Sequence, residues 1–573
     1  MDFALKYPAT QTVLSATPIS PTPEIYIKCH QPQRLLMKDI ISMGDFSKEE
    51  IVYVLDAADD VKKAIHHEPF NTTTFQAKYG TKVEHLLSGV KVATLFIENS
   101  TRTHHSFKAA VMKAGGAFDG FPSAEYTSLK KGETWADTAA MFSGYGYQAL
   151  IMRSTTEGLP RWTKESLEQS HQLLQMQHRN LGVPFSYKVP LIINGGDGKN
   201  QHPTQCFLDL FTMREIARAH GKDLDGLSLA LLNDLAHGRT NASLMSIAHL
   251  FSFKLHLAYP QRFGPPAHRL ESLKRNGVEV IDHRENFFEA MRASFIAYHS
   301  RPQKERVGQG EDLLTIKKLG QITKGMYDSL GEYAPFLLHP LPVDAETFEE
   351  IAADMRDHPK NMTKLQSSNG LYVRIALLAL HLGKMNGGYS MRNHQDPLQT
   401  MELQELPLST RDKTLQNSRS GFIEQDGVVL DHLSTGRGRR LAGILGWEKE
   451  NLPKVISDFM PVREHFKDMI KIHQEYTLSQ PQYEALALLA PEATVSYVRQ
   501  GKAVRKVRPI LGNWIEGKIK CGNPACVTNI QKEHVVPKHR VHKVHGERII
   551  ECNYCEQADT IQKVYEENRF IYL

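Results

Sequence analysis

The stretch ENSTRTHHSFKAA, Glu98 to Ala110, sets Ser100, Thr101, Arg102 and Thr103 directly before a helical pattern. Hydroxyls, a guanidinium and the free amides of a helix start suit a phosphate or another anion. Ser and Thr are also ordinary helix caps, so capping alone is the second reading of these residues. A further loop, LIINGGDGKNQHPTQCFLDL, also passes through a glycine-rich polar turn into a helical pattern, with His202 and Gln205 three apart. That spacing puts both on one face of a first helical turn, where they could grip a carbonyl. Near the end of the chain, Cys521 and Cys526 are followed by Cys552 and Cys555. Four thiolates are enough to close a tetrahedral structural zinc site, one per chain. A redox Cys-x-x-Cys pair, the alternative, needs no second pair.

These residues need elements to hold them. From about residue 36 to 385, apolar or β-branched runs alternate with longer helical patterns: KVATLFIE then SFKAAVMKAGG, VPLIINGG then TQCFLDLFTMREIARAH, LSLALLND then TNASLMSIAHLF. The rhythm predicts α/β architecture with two doubly wound parallel-sheet domains and ligands at the carboxyl ends of the strands. A Gly-, Pro- and polar-rich stretch over 386–415 is expected to be a linker. Beyond it, GFIEQDGVVLDHL predicts strand, turn and strand, QYEALALLA a short helix, and ATVSYVRQGKAVRKVRP a hairpin about Gln500-Gly501.

Composition bounds the rest. A chain of 573 residues is too long for one core and predicts roughly three to five domains. Its excess of 69 Lys+Arg over 64 Asp+Glu is too slight to indicate nucleic acid or an anionic membrane as partner. No apolar run approaches the roughly 20 residues that span a bilayer, and the first 35 residues do not resemble a secretory signal, so a soluble cytoplasmic protein is expected. The Asn99-Ser100-Thr101 triplet is then without meaning as a glycosylation acceptor.

Seven motifs in order, STRT at 100–103, SLKKGET at 128–134, MRS at 152–154, GDGKNQHPTQ at 196–205, HGRT at 237–240, RPQKER at 301–306 and HPLP at 339–342, resemble aspartate carbamoyltransferase. The resemblance implies that Ser100, Thr101, Arg102 and Thr103 hold the phosphate of carbamoyl phosphate. It implies that Arg153, His202 and Gln205 hold the carbamoyl end, with the backbone at Pro340 and Leu341 completing the pocket. Arg239, Arg301 and Gln303 would take L-aspartate, and Ser128 and Lys131 would reach into a neighbouring subunit's site, so a homotrimer is expected. Arg102, Thr103, Lys131, Arg153 and His202 are the catalytic expectation, Lys131 also touching aspartate, with no catalytic metal. The reaction implied is carbamoyl phosphate plus L-aspartate to N-carbamoyl-L-aspartate and phosphate, the committed step of pyrimidine synthesis. Two letters depart from the family's pattern: His104 follows STRT and Val343 follows HPLP, where arginine is usual. Ornithine carbamoyltransferase is the nearest alternative, but that family has HCLP where this chain has Pro340, and lacks HGRT and RPQKER. A non-catalytic nucleotide-sensing relative is the other.

The region from about 416 resembles the regulatory chain of the bacterial enzyme, here joined to the catalytic chain. The motifs are GVVLDHL, KDMIKI, VRKVRP and the cysteine frame. The resemblance implies an α+β nucleotide-binding domain over 416–515, a small zinc-binding β domain over 516–573, and CTP or ATP as effectors at Asp431, His432, Lys467, Lys471 and Lys506. One solvated face of a helix or strand end is the plainer reading of Lys467 and Lys471. The carbamoyl phosphate-binding domain is expected at 36–200, completed by a helix at 365–385, and the aspartate-binding domain at 201–364. The 1–35 stretch is an N-terminal extension. His534, His539, His542 and His545, between the cysteine pairs, are expected to be surface residues or a docking contact, and GRGRRLAGILG fits the regulatory pattern poorly.

Overall fold

The first sheet contains β1 (Lys91–Phe96), β2 (Ala117–Phe121), β3 (Ala149–Ser154) and β4 (Leu191–Asp197), all parallel, in the order β2-β1-β3-β4. In this computed structural model the described residues are 35–66, 69–302, 313–344, 346–385, 398–408, 423, 425–447, 452–462, 465–544 and 547–571. The expected N-terminal extension, Gln303, His545 and most of the expected linker lie outside them.

A second parallel sheet has β5 (Ser228–Asn233), β6 (Lys254–Ala258), β7 (Val280–Arg284), β8 (Ile296–Ser300) and β9 (Phe336–Leu338), in the order β7-β6-β5-β8-β9. Strands such as Leu191–Asp197 are buried throughout because helices cover both faces, which is why they appear as continuous apolar runs without alternation. Two helices join the lobes. Pro203–Ala219 leaves β4 directly, and Thr363–His381, apolar almost all round, packs against it and against Lys48–His66 and Thr101–Lys113. One core therefore runs through both lobes, and the cleft between them opens where the strands end.

The third sheet is antiparallel: β10 (Met401–Glu405), β11 (Gly427–Ser434), β12 (Lys454–Val462), β13 (His465–Ile472), β14 (Thr494–Arg499) and β15 (Lys502–Leu511), ordered β10-β15-β14-β11-β13-β12. Gln500 and Gly501 both have positive φ, 46° and 74°, as the expected two-residue hairpin turn requires. β10 lies inside the stretch expected to be linker. Met401 and Leu403 pack on the apolar core while Glu402 and Gln404 face out, and Glu405 pairs with Arg505 of β15, so the strand's alternation covers only five residues of a polar stretch. A fourth sheet holds β16 (Trp514–Glu516), β17 (Lys538–Val544), β18 (Glu547–Cys552) and β19 (Ala558–Thr560). The third and fourth sheets share one core, and the GRGRR segment spans them from outside. The guanidinium carbons of Arg437 and Arg440 lie 4.6 and 3.9 Å from the Tyr565 ring centroid.

The cysteine end of the fourth sheet packs on the first lobe, in one cluster with Trp135, Leu159 and Trp162. Glu157 N–H donates to Ala525 O at 2.9 Å and Val527 N–H to Glu157 O at 2.9 Å, while Glu533 accepts from Trp135 N–H at 2.9 Å and Trp162 Nε1 at 3.2 Å. Among the described residues, no helix is long and apolar enough to cross a membrane.

Candidate active site

Each chemistry-bearing loop leaves the carboxyl end of a parallel strand. After β1 the chain passes Glu98 into the helix Thr101–Lys113, for which Ser100 is the N-cap by backbone angles. The Ser100 hydroxyl makes no cap bond to that helix; it donates to Thr103 Oγ1 at 3.0 Å. The capping reading therefore does not account for this hydroxyl, and the first-turn amides are without a side-chain acceptor. Arg153 is the penultimate residue of β3, the loop after β4 brings His202 with Gln205 in the first turn of the helix that follows, the helix after β5 begins at Arg239, β8 leads to Arg301, and β9 to His339-Pro340-Leu341.

These ends face one cavity of about 900 Å³ between the lobes. Ser100, Thr101, Arg102, Thr103, Arg153, His202, Gln205, Arg239, Arg301, Pro340 and Leu341 all line it. Ser128 and Lys131 do not. Both are exposed in the 3-10 turn Ser128–Lys131, and the neighbouring Lys130 reaches the cavity in their place. Among the lining residues not foreseen from the sequence are Glu98, Lys130, Gln366 and Arg374. Glu98 stood inside the quoted stretch as a charged residue at a strand end. Gln366 and Arg374 sit on a helix whose pattern signals only core.

Cations dominate the lining: Arg102, Lys130, Arg153, Arg239, Arg301 and Arg374 against Glu98 and Glu125. Glu98 accepts from Arg153 Nη2 at 2.6 Å and from Arg239 Nη1 at 3.0 Å, so it joins the two lobes. Burial works against its charge, but Arg239 and then Arg153 outweigh that and hold the carboxyl below its ordinary range. Arg153 is pushed down to about 9 by burial and by repulsion from Arg239, which leaves it charged at neutral pH. Arg102 is lowered by burial and by Arg301. His202 lies well below the usual histidine range, first through burial and then through Arg153, Arg239 and Arg374. A neutral imidazole results, able to donate one N–H. Gly196, at φ 118°, is needed here: a Cβ would sit 3.0 Å from Nη1 of both Arg153 and Arg239.

Beneath the cavity, buried Asp209 holds several lining groups at once. Its carboxylate accepts from Gln205 Nε2 at 2.9 Å, Gln366 Nε2 at 2.7 Å and Tyr298 Oη at 2.7 Å, and Gln366 Oε1 in turn accepts from His339 N–H at 2.8 Å. His104 faces away from the cavity, its Nδ1 3.0 Å from Thr94 Oγ1 and its ring edge-on to Phe96 and Phe118. Val343 packs on the apolar cluster of the second lobe. Neither departure removes a lining group.

In the third sheet, strand register aligns Lys506, Ser496, Val429 and Lys471 in one row. Asp431, two residues along β11 from Val429, pairs with Lys467. Burial and then Lys467, Lys506 and Arg508 hold His432 below its usual range, despite Asp431. The five residues expected at an effector site are thus neighbours, with Lys467 and Lys471 on β13 and Lys471 buried.

The four cysteine Sγ atoms lie within 4.8 Å of one another, all buried, with Cys521–Cys555 at 3.5 Å and Cys526–Cys552 at 3.8 Å. A metal bound to four thiolates at about 2.3 Å separates the sulfurs by roughly 3.8 Å, so the cluster fits a structural metal. His534 is exposed, whereas His539 is buried opposite Cys552 in the β17/β18 ladder and so is not a surface residue. Alternation along β17 points it inward.

Residues 38–215 match the family described as aspartate/ornithine carbamoyltransferase, carbamoyl-P binding domain, and 225–381 its Asp/Orn binding domain. Residues 423–509 match the aspartate carbamoyltransferase regulatory chain, allosteric domain, and 513–565 its metal binding domain. The aspartate carbamoyltransferase catalytic subunit of Thermococcus onnurineus is 34% identical over 353 residues, covering 61% of this chain and 98% of the relative. Protein PyrBI of Thermotoga maritima is 28% identical over 498 residues, 83% of this chain and 90% of the relative. Protein PyrBI of Treponema denticola is 26% identical over 562 residues, 94% and 99% respectively. With a cation-lined cleft at the strand ends, a four-thiolate cluster and catalytic and regulatory matches in succession, this chain belongs to the aspartate carbamoyltransferase family, in the form that joins catalytic and regulatory domains in one polypeptide.

Proposed function

We propose that the cleft transfers the carbamoyl group of carbamoyl phosphate to the amine of L-aspartate, giving N-carbamoyl-L-aspartate and phosphate, the committed step of pyrimidine synthesis. The supporting observation is the convergence of Ser100 to Thr103, Arg153, His202, Gln205, Arg239 and Arg301 on one cavity. The helix start at Thr101, with its amides and the Arg102 guanidinium, receives the phosphate. Thr103, Arg153 and neutral His202 donate to the carbamoyl oxygen, where charge builds as the amine attacks. A donor of this kind is worth about 3 kcal/mol in the transition state. The new C–N bond forms as the C–O bond to phosphate breaks, and the leaving phosphate carries off the amine proton. Arg239, Arg301 and Gln303 hold the two carboxylates of aspartate, and holding both substrates supplies much of the rate. A cavity with five arginines disfavours the ammonium of ornithine, which supports the dicarboxylate as acceptor.

We read 36–200 with 365–385 as the carbamoyl phosphate domain, 201–364 as the aspartate domain, 416–515 as the regulatory domain and 516–573 as the metal domain. Exposed Ser128 and Lys131 then serve a neighbouring subunit's site in a homotrimer. Zinc is the metal, since thiolates alone suit it and the cluster is closed. Asp431, His432, Lys467, Lys471 and Lys506 bind CTP or ATP through the triphosphate.

The test is carbamoyl aspartate formation by the full chain, with aspartate varied in the presence and absence of CTP and ATP. Product is expected with aspartate and not with ornithine. A well-folded, metal-loaded chain that forms none would make this a non-catalytic relative.

A further inference from the structure

A line of hydrogen bonds leaves the cysteine region and ends on the backbone of His202. Glu556, directly after Cys555, stands in left-handed conformation at φ 59°. Its Oε2 accepts from Gln201 Nε2 at 2.9 Å. Gln201 Oε1 accepts from Ser243 Oγ at 2.6 Å, and Ser243 Oγ accepts from His202 N–H at 2.9 Å. The roles are mutually consistent: Gln201 offers its amide nitrogen to a carboxylate and its oxygen to a hydroxyl, and Ser243, its one proton committed to Gln201, is left to accept from His202. Gln201 and Ser243 are fully buried, so bulk water does not stand in for either partner. The backbone of Gln201 is pinned separately, its N–H donating to Asp197 Oδ1 at 3.0 Å.

Three parts of the molecule meet in this line. Glu556 comes from the metal-binding region, Gln201 and His202 from the loop after β4, and Ser243 from the second lobe. Ser243 is one turn along the helix Arg239–Ile247 from Arg239, so the bond that holds the His202 backbone also fixes the helix carrying Arg239. Other contacts between the cysteine region and the first lobe, at Glu133, Trp135, Glu157, Trp162 and Glu165, and of Glu556 itself with the Ser42 side chain, touch neither His202 nor Arg239.

We propose that Glu556, Gln201 and Ser243 are positioning residues for carbamoyl transfer, forming a relay through which the seating of the metal-binding region sets His202 against Arg239. The relay rests on the carbamoyltransferase reading of the cleft. It gives the otherwise unassigned Gln201 of the GDGKNQ segment a role, and it makes turnover depend on a residue of the regulatory portion that touches no substrate.

The test uses the full-length, metal-loaded chain with Glu556→Ala, Glu556→Gln, Ser243→Ala and the double variant Glu556→Ala/Ser243→Ala. The readouts are kcat, KM for both substrates, metal content, and hydrogen exchange of the segment containing His202. Each alanine variant is expected to lower kcat roughly tenfold, with both KM values within about threefold and metal content unchanged. Glu556→Gln, whose amide oxygen still accepts, is expected to regain most of the loss. The double variant is expected to be no worse than the poorer single one, because both changes break one relay. Exchange at the His202 segment should quicken in all the alanine variants. Wild-type kcat in Glu556→Ala at full metal content, or losses that multiply in the double variant, overturns the relay. Should Glu556→Ala lose its metal, Ser243→Ala, remote from the cysteines, carries the test alone, and a wild-type kcat there overturns it. A wild-type chain that makes no carbamoyl aspartate overturns the reaction instead, and the exchange measurement still decides the relay.

Discussion

Replacing Glu98 by Gln keeps the shape of the side chain and removes the one carboxylate that bridges Arg153 of the first lobe and Arg239 of the second. Two unit charges about 4 Å apart attract by about 4 kcal/mol at an effective dielectric near 20. Glu98 is 24% exposed and each arginine 13%, so solvent screens part of this. Halving it leaves about 2 kcal/mol per pair. The two arginines also repel, with Arg153 already pushed down to about 9. The Arg239 pair crosses between the lobes, so its loss falls on how the lobes meet and on the aspartate carboxylates proposed to lie against Arg239. About 2 kcal/mol corresponds to a rise of roughly 30-fold in KM for aspartate. The Arg153 pair lies within the first lobe, and freeing that guanidinium adds positive potential where carbamoyl phosphate binds. Its KM should therefore hold within about threefold, or fall. Steady-state kinetics with each substrate varied at saturation of the other measures both. Equal rises in the two KM values, or an unchanged KM for aspartate, would refute the lobe-bridging role.

Asp209 sets a pH dependence of stability. Burial pushes its carboxyl up to about 7 from an ordinary 3.8, so between these values the unfolded chain ionises while the folded chain stays protonated. This group therefore costs stability as pH rises, by about 1.4 kcal/mol per pH unit until the folded group also ionises, and costs nothing below both values. Asp209→Asn removes that cost, so its urea-unfolding free energy should gain on wild type between about pH 4 and pH 7; parallel profiles would count against it. For the metal, one zinc per chain is expected by elemental analysis. Stripping it should change the fluorescence of Trp135 and Trp162, which pack in the cysteine cluster, and lower the melting temperature. Unchelated protein with no metal and no response to chelator would sink the assignment.

Local pattern carried the strands and helices because their burial is set by neighbours a few residues away. KVATLF, LIINGGD and SLALLN are covered on both faces and so carry apolar or β-branched runs without alternation, VATLF, LII and LALL, with polar residues at their ends. The cavity's main cations were legible for a related reason: Arg102, Arg153, Arg239 and Arg301 all lie at or after strand ends, where side chains need not pack and their types report chemistry. Gln366 and Arg374 escaped because they occupy a helix with exposed Lys364, Ser367 and Ser368 in its first turns and continuous burial from Tyr372 onward. A polar residue in such a pattern gives no sign of which cleft it meets. The β10 strand escaped because its inward alternation, Met401 and Leu403, is only two residues long within a polar stretch.

The sequence by itself determined the residue types at the strand ends, the four cysteines and the order of the parts, since each is written within a few consecutive positions. Tertiary structure alone decided that Glu98 would join Arg153 to Arg239, that Lys130 and not Lys131 would face this chain's own cavity, and that Glu556 would reach Gln201, 355 residues away. A hydrogen bond between residues so far apart depends on how separate cores dock. That docking is fixed by the summed burial of many side chains, and no short stretch of sequence contains it.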